Sequence, residues 1–370
     1  MISGTWSAPG RVNLIGEHTD YNEGFALPMA IPQRTRVHAR VRSDGLVTAV
    51  SSDRHREAVR FTVGTAPGDV ASWGGYVAGV FWALREAGHA VPGVDLEIRS
   101  DVPVGAGLSS SAALCCAVAV ALDGIAGLGL DRATLARLAQ RAENDYVGVP
   151  TGSMDQLASM YGRVGHVILL DCRSLQVDAV RCDVRGAGLE LLVIDTRAPH
   201  RLVDGEYGAR RRTCEQAAAR LGVRSLRDLQ GDDPDVVLAG LDGDAVAQRR
   251  VRHVLTENGR VLDAVALLRV GRVGDIGPLL TASHASLRDD YEVTVPELDV
   301  AVAAALRAGA LGARMTGGGF GGSIIALVEA GPMARHVVES IGRAYDEHRF
   351  TAPVAFTALP AAGAGLEEMS

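Results

Sequence analysis

The sequence predicts an α+β protein of two domains with a cleft between them. Strand patterns come first along the chain, and helical patterns mixed with short strands follow. The 370 residues are enough for two sizeable cores. Glycine makes up 44 of the 370 residues, about 12% against a usual ~7%. Much of it lies in three loops, which favours close backbone contact with a ligand.

The spacing of apolar residues predicts the individual elements. Residues 34–42 alternate as in a half-buried strand, and residues 110–122 are apolar almost all round, as in a helix buried on every side. Residues 133–146 form an amphipathic helical pattern. Further strands are expected at 189–196 and 323–329, and further helices at about 207–221, 244–270, 297–308 and 332–347. We place the domain boundary at residue 195, which gives an N-terminal domain of residues 1–195 and a C-terminal domain of residues 196–370.

Composition and charge exclude several classes of protein. A net charge of −7 without a basic tail argues against a nucleic-acid partner. No apolar run reaches the ~18 residues of a membrane span and no signal peptide opens the chain, so we expect a cytoplasmic protein that contacts no membrane. The five cysteines form no CxxC pair, which excludes a disulfide framework and a zinc site.

The sequence contains no lysine, because all 37 basic residues are arginine. A Walker-type phosphate loop, a protein-kinase fold and a Schiff-base enzyme each need a lysine. All three are therefore excluded.

The segment PVGAGLSSSAAL (103–114) has the character of an anion site. Gly105 and Gly107 let backbone N–H groups turn inward, and Ser109 to Ser111 can cap the helix that follows. Free N–H groups at a helix start, together with the helix dipole, hold a phosphate without a basic side chain. The alternative is an ordinary serine-capped core helix after a glycine turn.

Two carboxylates follow in ENDYVGVPTGSMDQ (143–156). Glu143 projects from the apolar face of its helix, where an unpaired carboxylate costs several kcal/mol. It is either paired with an arginine or a Mg²⁺ ligand facing Ser111, since Mg²⁺ accepts one or two protein oxygens beside phosphate oxygens and waters. Asp155, after Gly152, is either a carboxylate presented by a tight turn or a helix N-cap.

Two more segments carry polar groups or glycines in an apolar frame. Arg11, Glu17, His18 and Asp20 lie within ten residues of each other among apolar residues, which favours a sugar-like ligand over a solvated loop. In residues 312–327, five glycines occur within six residues. This is either a tight helix-to-strand turn or a backbone that approaches a ligand or the first phosphate loop.

Four segments resemble, in order and spacing, the motifs of the galactokinases of the GHMP small-molecule kinase superfamily. They are GRVNLIGEHTDY, PVGAGLSSSAAL, GSMDQ and MTGGGFGG. The resemblance runs from about Ser7 to about Leu359. It implies an N-terminal domain like ribosomal protein S5 domain 2, a ferredoxin-like C-terminal domain and an active site between them. It also implies ATP-dependent phosphorylation of the C1 hydroxyl of α-D-galactose to galactose 1-phosphate and ADP, the first committed step of galactose catabolism in the Leloir pathway.

The resemblance assigns roles residue by residue. Arg11 and Asp155 correspond to the catalytic pair. The sugar-binding positions are Glu17, His18, Asp20, Gly152 and Tyr207. The ATP-phosphate positions are Gly105, Ala106, Gly107, Leu108, Ser109, Ser110 and Ser111, with Ser51 and Trp73 towards the base and Ser111 and Glu143 on Mg²⁺. Thr151 stands where the family usually has a cysteine, so thiol reactivity is not expected there.

Two other functions remain open at this stage. One is a kinase for N-acetylgalactosamine, arabinose or galacturonic acid, although the Glu17 carboxylate would repel galacturonate. The other is a sensor that binds galactose and ATP and regulates a partner. Such a sensor should have lost a catalytic part, whereas Arg11, Asp155 and Glu143 are all present. We expect a monomer, with a weak dimer as the alternative, whose only partners are galactose and ATP.

Overall fold

The computed structural model describes residues 2–52, 58–198 and 203–369. The strands in these ranges are β1 (Ser3–Asn13), β2 (Phe25–Ala26), β3 (Pro28–Arg42), β4 (Leu46–Ser51), β5 (Ala58–Thr62), β6 (Gly93–Ser100), β7 (His166–Asp171), β8 (Gln176–Arg181), β9 (Leu189–Asp195), β10 (Gly312–Thr316), β11 (Ser323–Glu329), β12 (Val354–Ala358) and β13 (Gly365–Met369). The helices are α1 (Trp73–Glu86), α2 (Ser110–Ala126), α3 (Arg132–Arg141), α4 (Met154–Tyr161), α5 (Val203–Arg220), α6 (Pro234–Ala239), α7 (Ala245–Arg269), α8 (Gly277–Ser286), α9 (Pro296–Arg307) and α10 (Pro332–His348). Short 3₁₀ or π segments span Asp20–Asn22, Ala142–Val147, Leu226–Leu229, Val273–Ile276 and Leu287–Tyr291. Every strand and helix predicted from spacing is confirmed.

The first structural unit is a six-stranded sheet covered by helices. Its strand order is β13-β1-β3-β6-β4-β5, in which β4 and β6 pair in parallel and the other neighbouring strands pair antiparallel. Helix α2 packs on β1 and β3, and α1, α3 and α4 surround it. The buried residues of α2 therefore lie on all sides of the helix, as its sequence predicts.

The second unit contains the antiparallel four-stranded sheet β10-β11-β9-β12, on which α9 and α10 pack. Strand β9 is an interior strand of this sheet, and β13 returns to the first sheet beside β1. The predicted boundary at residue 195 stays a prediction. From sheet membership we propose a division before Leu189, with β13 belonging to the first unit. The predicted α+β class with two units is confirmed.

A third core cluster joins the two units. It brings Val12, Leu14 and Ile15, from β1 and the loop after it, together with Val261 of α7 and Ile325 of β11. The small sheet β2-β7-β8 lies beside this junction and contacts α7. The loop after β1 is therefore held between the two units, and this loop carries Glu17, His18 and Asp20.

Helix α3 ends in a π turn that the sequence pattern does not show. Residues Ala142–Val147 form the π segment at the end of the predicted helix. Gly79 of α1 lies against it, because a Cβ at position 79 would be 2.9 Å from the Ala142 carbonyl oxygen. The Glu143 side chain is buried at this close contact, with 1% of the residue exposed.

None of the helices in the described ranges is both long enough and apolar enough to cross a membrane. Cys115, Cys116, Cys172, Cys182 and Cys214 are all free thiols, as the absence of a disulfide framework predicts.

Candidate active site

A pocket opens between the two units, with about 740 Å³ of free space including its mouth, within the usual ~300–1,000 Å³ of ligand sites. All seven residues predicted as catalytic or sugar-binding line it: Arg11, Glu17, His18, Asp20, Gly152, Asp155 and Tyr207. The loop after β1, the start of α4, helix α5 and the glycine turn after β10 supply the walls. The structure thus brings together residues that are up to 196 positions apart, from 11 to 207.

Arg11 and Asp155 form an ion pair in this pocket. Nε and Nη2 of Arg11 lie 2.8 and 2.7 Å from Asp155 Oδ1, and the Arg11 side chain is 6% exposed. Arg11 Nη1 also donates to the Gly107 carbonyl at 2.7 Å. Burial lowers the pKa of Arg11, but the charge and hydrogen bond of Asp155 and the charges of Glu17 and Asp20 together outweigh it, so the pKa is raised overall. The pair is therefore a fixed charge pair at the edge of the phosphate loop.

Glu17 is held from the second unit. Its Oε1 accepts hydrogen bonds from the Gly317 N–H at 2.7 Å and the Thr316 hydroxyl at 3.4 Å, and lies 3.7 Å from Arg314 Nη1. Burial raises the pKa of Glu17, while the positive charges of Arg314 and Arg11 oppose that rise. Arg314 is itself fully buried and donates to the carbonyls of Asn13 and Leu14 at 3.3 and 3.1 Å. Arg314 therefore both anchors the loop after β1 and lies beside the Glu17 charge.

The polar groups around the rest of the pocket differ in charge state. Burial, with the Asp155 charge nearby, raises the pKa of Asp20 to about 6. Burial, with His253 nearby, lowers the pKa of His18 to about 3, so this imidazole is neutral. The His18 ring centroid lies 5.4 Å from that of Tyr207, whose own pKa burial raises. At neutral pH the pocket thus offers a carboxylate acceptor at Asp20 and a neutral imidazole.

Gly152 approaches Asp20 more closely than any side chain could. A Cβ at position 152 would lie 1.7 Å from Asp20 Oδ2. Only glycine leaves this carboxylate in place, so the sequence-predicted pairing of Gly152 with the sugar site has a steric basis.

A second pocket, next to the first helix turn of α2, contains part of the predicted nucleotide site. Of the predicted residues, Ser51, Trp73, Ser110 and Ser111 line it. Strands β3 and β6 add Thr35 and Ser100, which the sequence analysis missed. The alternation of side chains along these strands is the signal that could have pointed to them.

The loop 105–109 is fixed by backbone contacts and by the Ser109 side chain. Ala106 and Leu108 are each 1% exposed, and the Leu108 carbonyl accepts a hydrogen bond from the Arg11 N–H at 3.1 Å. Gly105 and Gly107 have positive φ, +77° and +74°. Ser109, also at positive φ, is the N-cap residue of α2, but the expectation that its side chain caps the helix is wrong: its hydroxyl donates to Asp155 Oδ2. The first N–H groups of α2 are consequently left without a side-chain cap.

The glycine-rich turn packs on this loop, as one of the two sequence interpretations proposes. Added Cβ atoms at Gly317 and Gly322 would lie 2.9 Å from the Gly107 oxygen and 3.3 Å from the Ala106 oxygen. The Ser323 hydroxyl donates to the Ala106 carbonyl at 2.7 Å. Gly317 and Gly318 also line the first pocket, so this turn joins the two sites.

The Glu143 carboxylate faces Ser111 and is hydrogen-bonded to its side chain. Gln156 Nε2 donates to Glu143 Oε1 at 2.7 Å, and no ion pair of Glu143 with an arginine is found among the described residues. Burial raises the pKa of Glu143 to about 7, against the hydrogen bond from Ser111. A buried carboxylate beside a serine hydroxyl fits the oxygen ligands that Mg²⁺ prefers. No cluster of three or more His, Cys, Asp or Glu side chains with metal-binding spacing occurs in the part of the chain described.

The two-unit fold with its two adjoining pockets is that of a GHMP-type small-molecule kinase. Residues 75–163 match the model of the GHMP kinases N-terminal domain, and residues 264–347 match the GHMP kinases C-terminal model. Residues 2–41 match the galactokinase galactose-binding signature.

Similar proteins identify the family within the GHMP kinases to which this chain belongs. The chain is 50% identical to a galactokinase of Streptomyces coelicolor over 362 residues, covering 98% of this chain and 93% of that protein. It is 51% identical to a galactokinase of Mycobacterium tuberculosis over 348 residues, covering 93% and 95%. A crystal structure of Lactococcus lactis galactokinase complexed with galactose matches with a TM-score of 0.92 at 36% identity, covering 98% and 95%. Methanococcus jannaschii mevalonate kinase shares the fold, with a TM-score of 0.69 at 16% identity over 96% of this chain and 98% of the other. The chain belongs to the galactokinase family and is a sugar kinase.

The contact between Gly152 and Asp20 predicts the effect of Gly152→Ala. The methyl group would displace the Asp20 carboxylate, at a cost of roughly 1–3 kcal/mol typical of overpacking. We expect kcat/KM for the sugar to fall by roughly 5- to 150-fold, with KM for ATP changed less than about twofold. Steady-state kinetics in both substrates measures this.

Gly64→Ala is the matched control, because its Cβ would lie 3.7 Å from the nearest atom. Equal effects of the two variants on the sugar kinetics would contradict the assigned role of Gly152.

Proposed function

We propose that the protein transfers the γ-phosphoryl group of ATP to the C1 hydroxyl of α-D-galactose, giving α-D-galactose 1-phosphate and ADP. One observation carries the proposal. The Arg11–Asp155 pair lies at the edge between the polyol pocket and the phosphate loop, and contacts both through Asp155 and the Gly107 carbonyl. Phosphoryl transfer depends mainly on in-line placement of the reactants and on charge neutralisation, and less on covalent catalysis. The position of the Arg11–Asp155 pair suits both requirements.

The sugar would be held by side chains that form hydrogen bonds with its hydroxyl groups. Glu17, which is buried, and Asp20, which is partly buried, would accept hydrogen bonds from sugar hydroxyls. A sugar that lacks a matching hydroxyl would leave one of these acceptors unpaired. Gly152 allows the ring to approach Asp20 closely, and Tyr207 closes the pocket from α5. This arrangement favours a neutral polyol over an acid.

Asp155 would act as general base for the C1 hydroxyl. Its Oδ1 accepts from Arg11 and its Oδ2 from Ser109, which fixes the carboxylate plane. Asp155 Oδ1 is occupied by two nitrogens of Arg11, whereas Oδ2 retains a second lone pair beside the bond from Ser109. Oδ2 can therefore accept the hydroxyl proton as the new O–P bond forms and the bond to ADP breaks. Arg11 would stabilise the resulting charge and position Asp155.

The ATP phosphates would be held by backbone and dipole. The uncapped N-terminal turn of α2 presents N–H groups beside Gly105 and Gly107, and the helix dipole adds positive potential. Ser51 and Trp73 line the pocket at the start of α2, where the base would bind. This accounts for phosphate binding in a chain without lysine.

Mg²⁺ would be held by Ser111 and Glu143, whose oxygen donors suit it. When bound, the ion supplies charge neutralisation to the ATP phosphates. Gln156 would keep the Glu143 carboxylate oriented towards Ser111.

Substrate choice tests the function. Galactose and its 4-epimer glucose differ in one hydroxyl, and a site with buried hydrogen-bond acceptors can reject such an analogue by up to roughly 10⁴. We expect a coupled ADP-release assay over free sugars to give a kcat/KM for galactose far above that for glucose, arabinose, galacturonate or N-acetylgalactosamine. Comparable values for galactose and glucose would contradict the proposal, and binding without ADP release would favour a sensor.

The metal site makes a separate prediction. Glu143→Gln keeps the size and the hydrogen-bonding reach of the side chain but removes a charged Mg²⁺ ligand. We expect the Mg²⁺ concentration for half-maximal activity to rise roughly tenfold or more, the usual range for a weakened metal site, while thermal stability persists. Glu347→Gln, at an exposed position on α10, is the control and should leave the Mg²⁺ titration unchanged. An unchanged titration in Glu143→Gln would mean that Glu143 has a structural role only.

A further inference from the structure

A chain of hydrogen bonds leads from the sugar pocket into the second unit. His18 Nδ1 lies 2.8 Å from the Tyr21 hydroxyl, which lies 2.8 Å from the Tyr291 hydroxyl. The Tyr291 hydroxyl in turn lies 3.1 Å from Cys214 Sγ. At the other edge of the imidazole, His18 Nε2 lies 3.2 Å from the Gly318 carbonyl oxygen.

The chemistry of the end groups fixes the direction of every bond. A backbone carbonyl only accepts, so His18 Nε2 carries the proton and donates to Gly318. His18 is neutral, so Nδ1 has a lone pair and must accept from the Tyr21 hydroxyl. Tyr21 oxygen can then accept from Tyr291, and Tyr291 oxygen from the Cys214 thiol.

Three of the four members are buried from water, and Tyr21 is partly buried. His18, Tyr291 and Cys214 are 4%, 0% and 1% exposed. They come from three elements: the loop after β1, the π segment after α8, and α5. Ring contacts hold the imidazole as well, since its centroid lies 4.7 Å from that of Tyr291 and 5.4 Å from that of Tyr207. A rotation of the His18 ring would break these ring contacts and the contacts at both nitrogens.

We propose that Tyr21, Tyr291 and Cys214 are positioning residues that lock His18 in the Nε2–H tautomer, so that His18 donates a hydrogen bond to a hydroxyl oxygen of the sugar. His18 and Gly318 both line the pocket, so the Nε2–H edge lies where a sugar oxygen can share the proton with the Gly318 carbonyl. Glu17 and Asp20 accept hydroxyl protons in the same pocket. A sugar hydroxyl that donates to a carboxylate and accepts from His18 is then recognised both as a hydrogen-bond donor and as an acceptor. The inference rests on the proposed function, because it assumes a polyol in this pocket.

The first test reads the tautomer directly and needs no substrate. The ¹⁵N shifts of the imidazole nitrogens distinguish a protonated from an unprotonated nitrogen. In histidine-labelled protein without ligand, with the His18 signals assigned by their loss in His18→Gln, we expect Nε2 to be protonated and Nδ1 not. A protonated Nδ1 would overturn the proposal, whether or not galactose is phosphorylated.

The second test breaks the chain at its first link. Tyr21→Phe removes the donor to Nδ1 and keeps the ring, so His18 should sample both tautomers in the ¹⁵N spectrum. KM for galactose should rise roughly three- to tenfold, the net worth of one buried hydrogen bond, with kcat and KM for ATP changed less than about twofold. Tyr291→Phe should give the same pattern with a smaller rise, because it acts one bond further away.

Tyr345→Phe is the matched control. Its hydroxyl donates a single hydrogen bond, 2.7 Å to the Glu297 carbonyl, in the core of the second unit. The control should lose comparable stability and leave the galactose KM and the His18 spectrum unchanged. A Tyr21→Phe variant that behaves like Tyr345→Phe would overturn the proposal. Should Tyr21→Phe fail to fold, the wild-type spectrum decides alone. Lack of galactose phosphorylation by the wild type would instead refute the proposed function.

Discussion

The contact between Arg11 and Asp155 is the constraint on which the site depends. Both charges are largely withdrawn from water, and a buried charge is tolerated only when it is paired and hydrogen-bonded. The pair joins β1 to the start of α4, and Arg11 continues to the Gly107 carbonyl of the phosphate loop. Gly10 makes this possible, because a Cβ there would lie 2.8 Å from the Leu108 oxygen. The sugar pocket and the phosphate loop are thus positioned by the same two side chains.

The second unit completes the site by holding the loop after β1 through buried polar contacts. His253 Nε2 donates to the Glu17 carbonyl at 3.1 Å, and Glu257 Oε1 accepts from the Gly16 N–H at 2.9 Å. Arg314 and the Gly317 N–H hold the same loop through its carbonyls and the Glu17 carboxylate. Small movements between the units would therefore change the sugar-binding groups, while the Arg11–Asp155 pair within the first unit would stay intact.

The sequence allowed the site to be predicted where the signal is local. The helical spacing of Glu143 with Leu135 and Ala139 predicted its burial, and the order of motifs placed the seven pocket residues. The π turn at 142–147 was not predictable, because it depends on the packing of Ala142 against Gly79 of another helix. The Ser109 hydroxyl was expected to cap α2. Ser109 instead has a positive φ, and its hydroxyl donates to Asp155, which lies 46 positions away in the sequence.

Local sequence spacing also did not predict how distant strands pair or what one arginine contacts. That β9 joins the second sheet and β13 the first follows from pairing partners, which periodicity does not reveal. Arg314 stood in a segment whose glycines suggested a turn, so its burial beside Glu17 was missed. Two backbone carbonyls and the Glu17 carboxylate surround Nη1 of this fully buried arginine.

A double-mutant cycle on Arg11 and Asp155 tests the central claim most directly. If the two act as one unit, Arg11→Ala and Asp155→Asn each lower kcat by roughly 10²–10⁴, the usual worth of a catalytic acid–base group. The double variant should then lie within about tenfold of the slower single variant, because removing either partner already disables the pair. The assay is ADP release at saturating galactose, ATP and Mg²⁺, with folding checked by thermal unfolding. Losses that multiply in the double variant would show that Arg11 and Asp155 act independently, and would contradict the account.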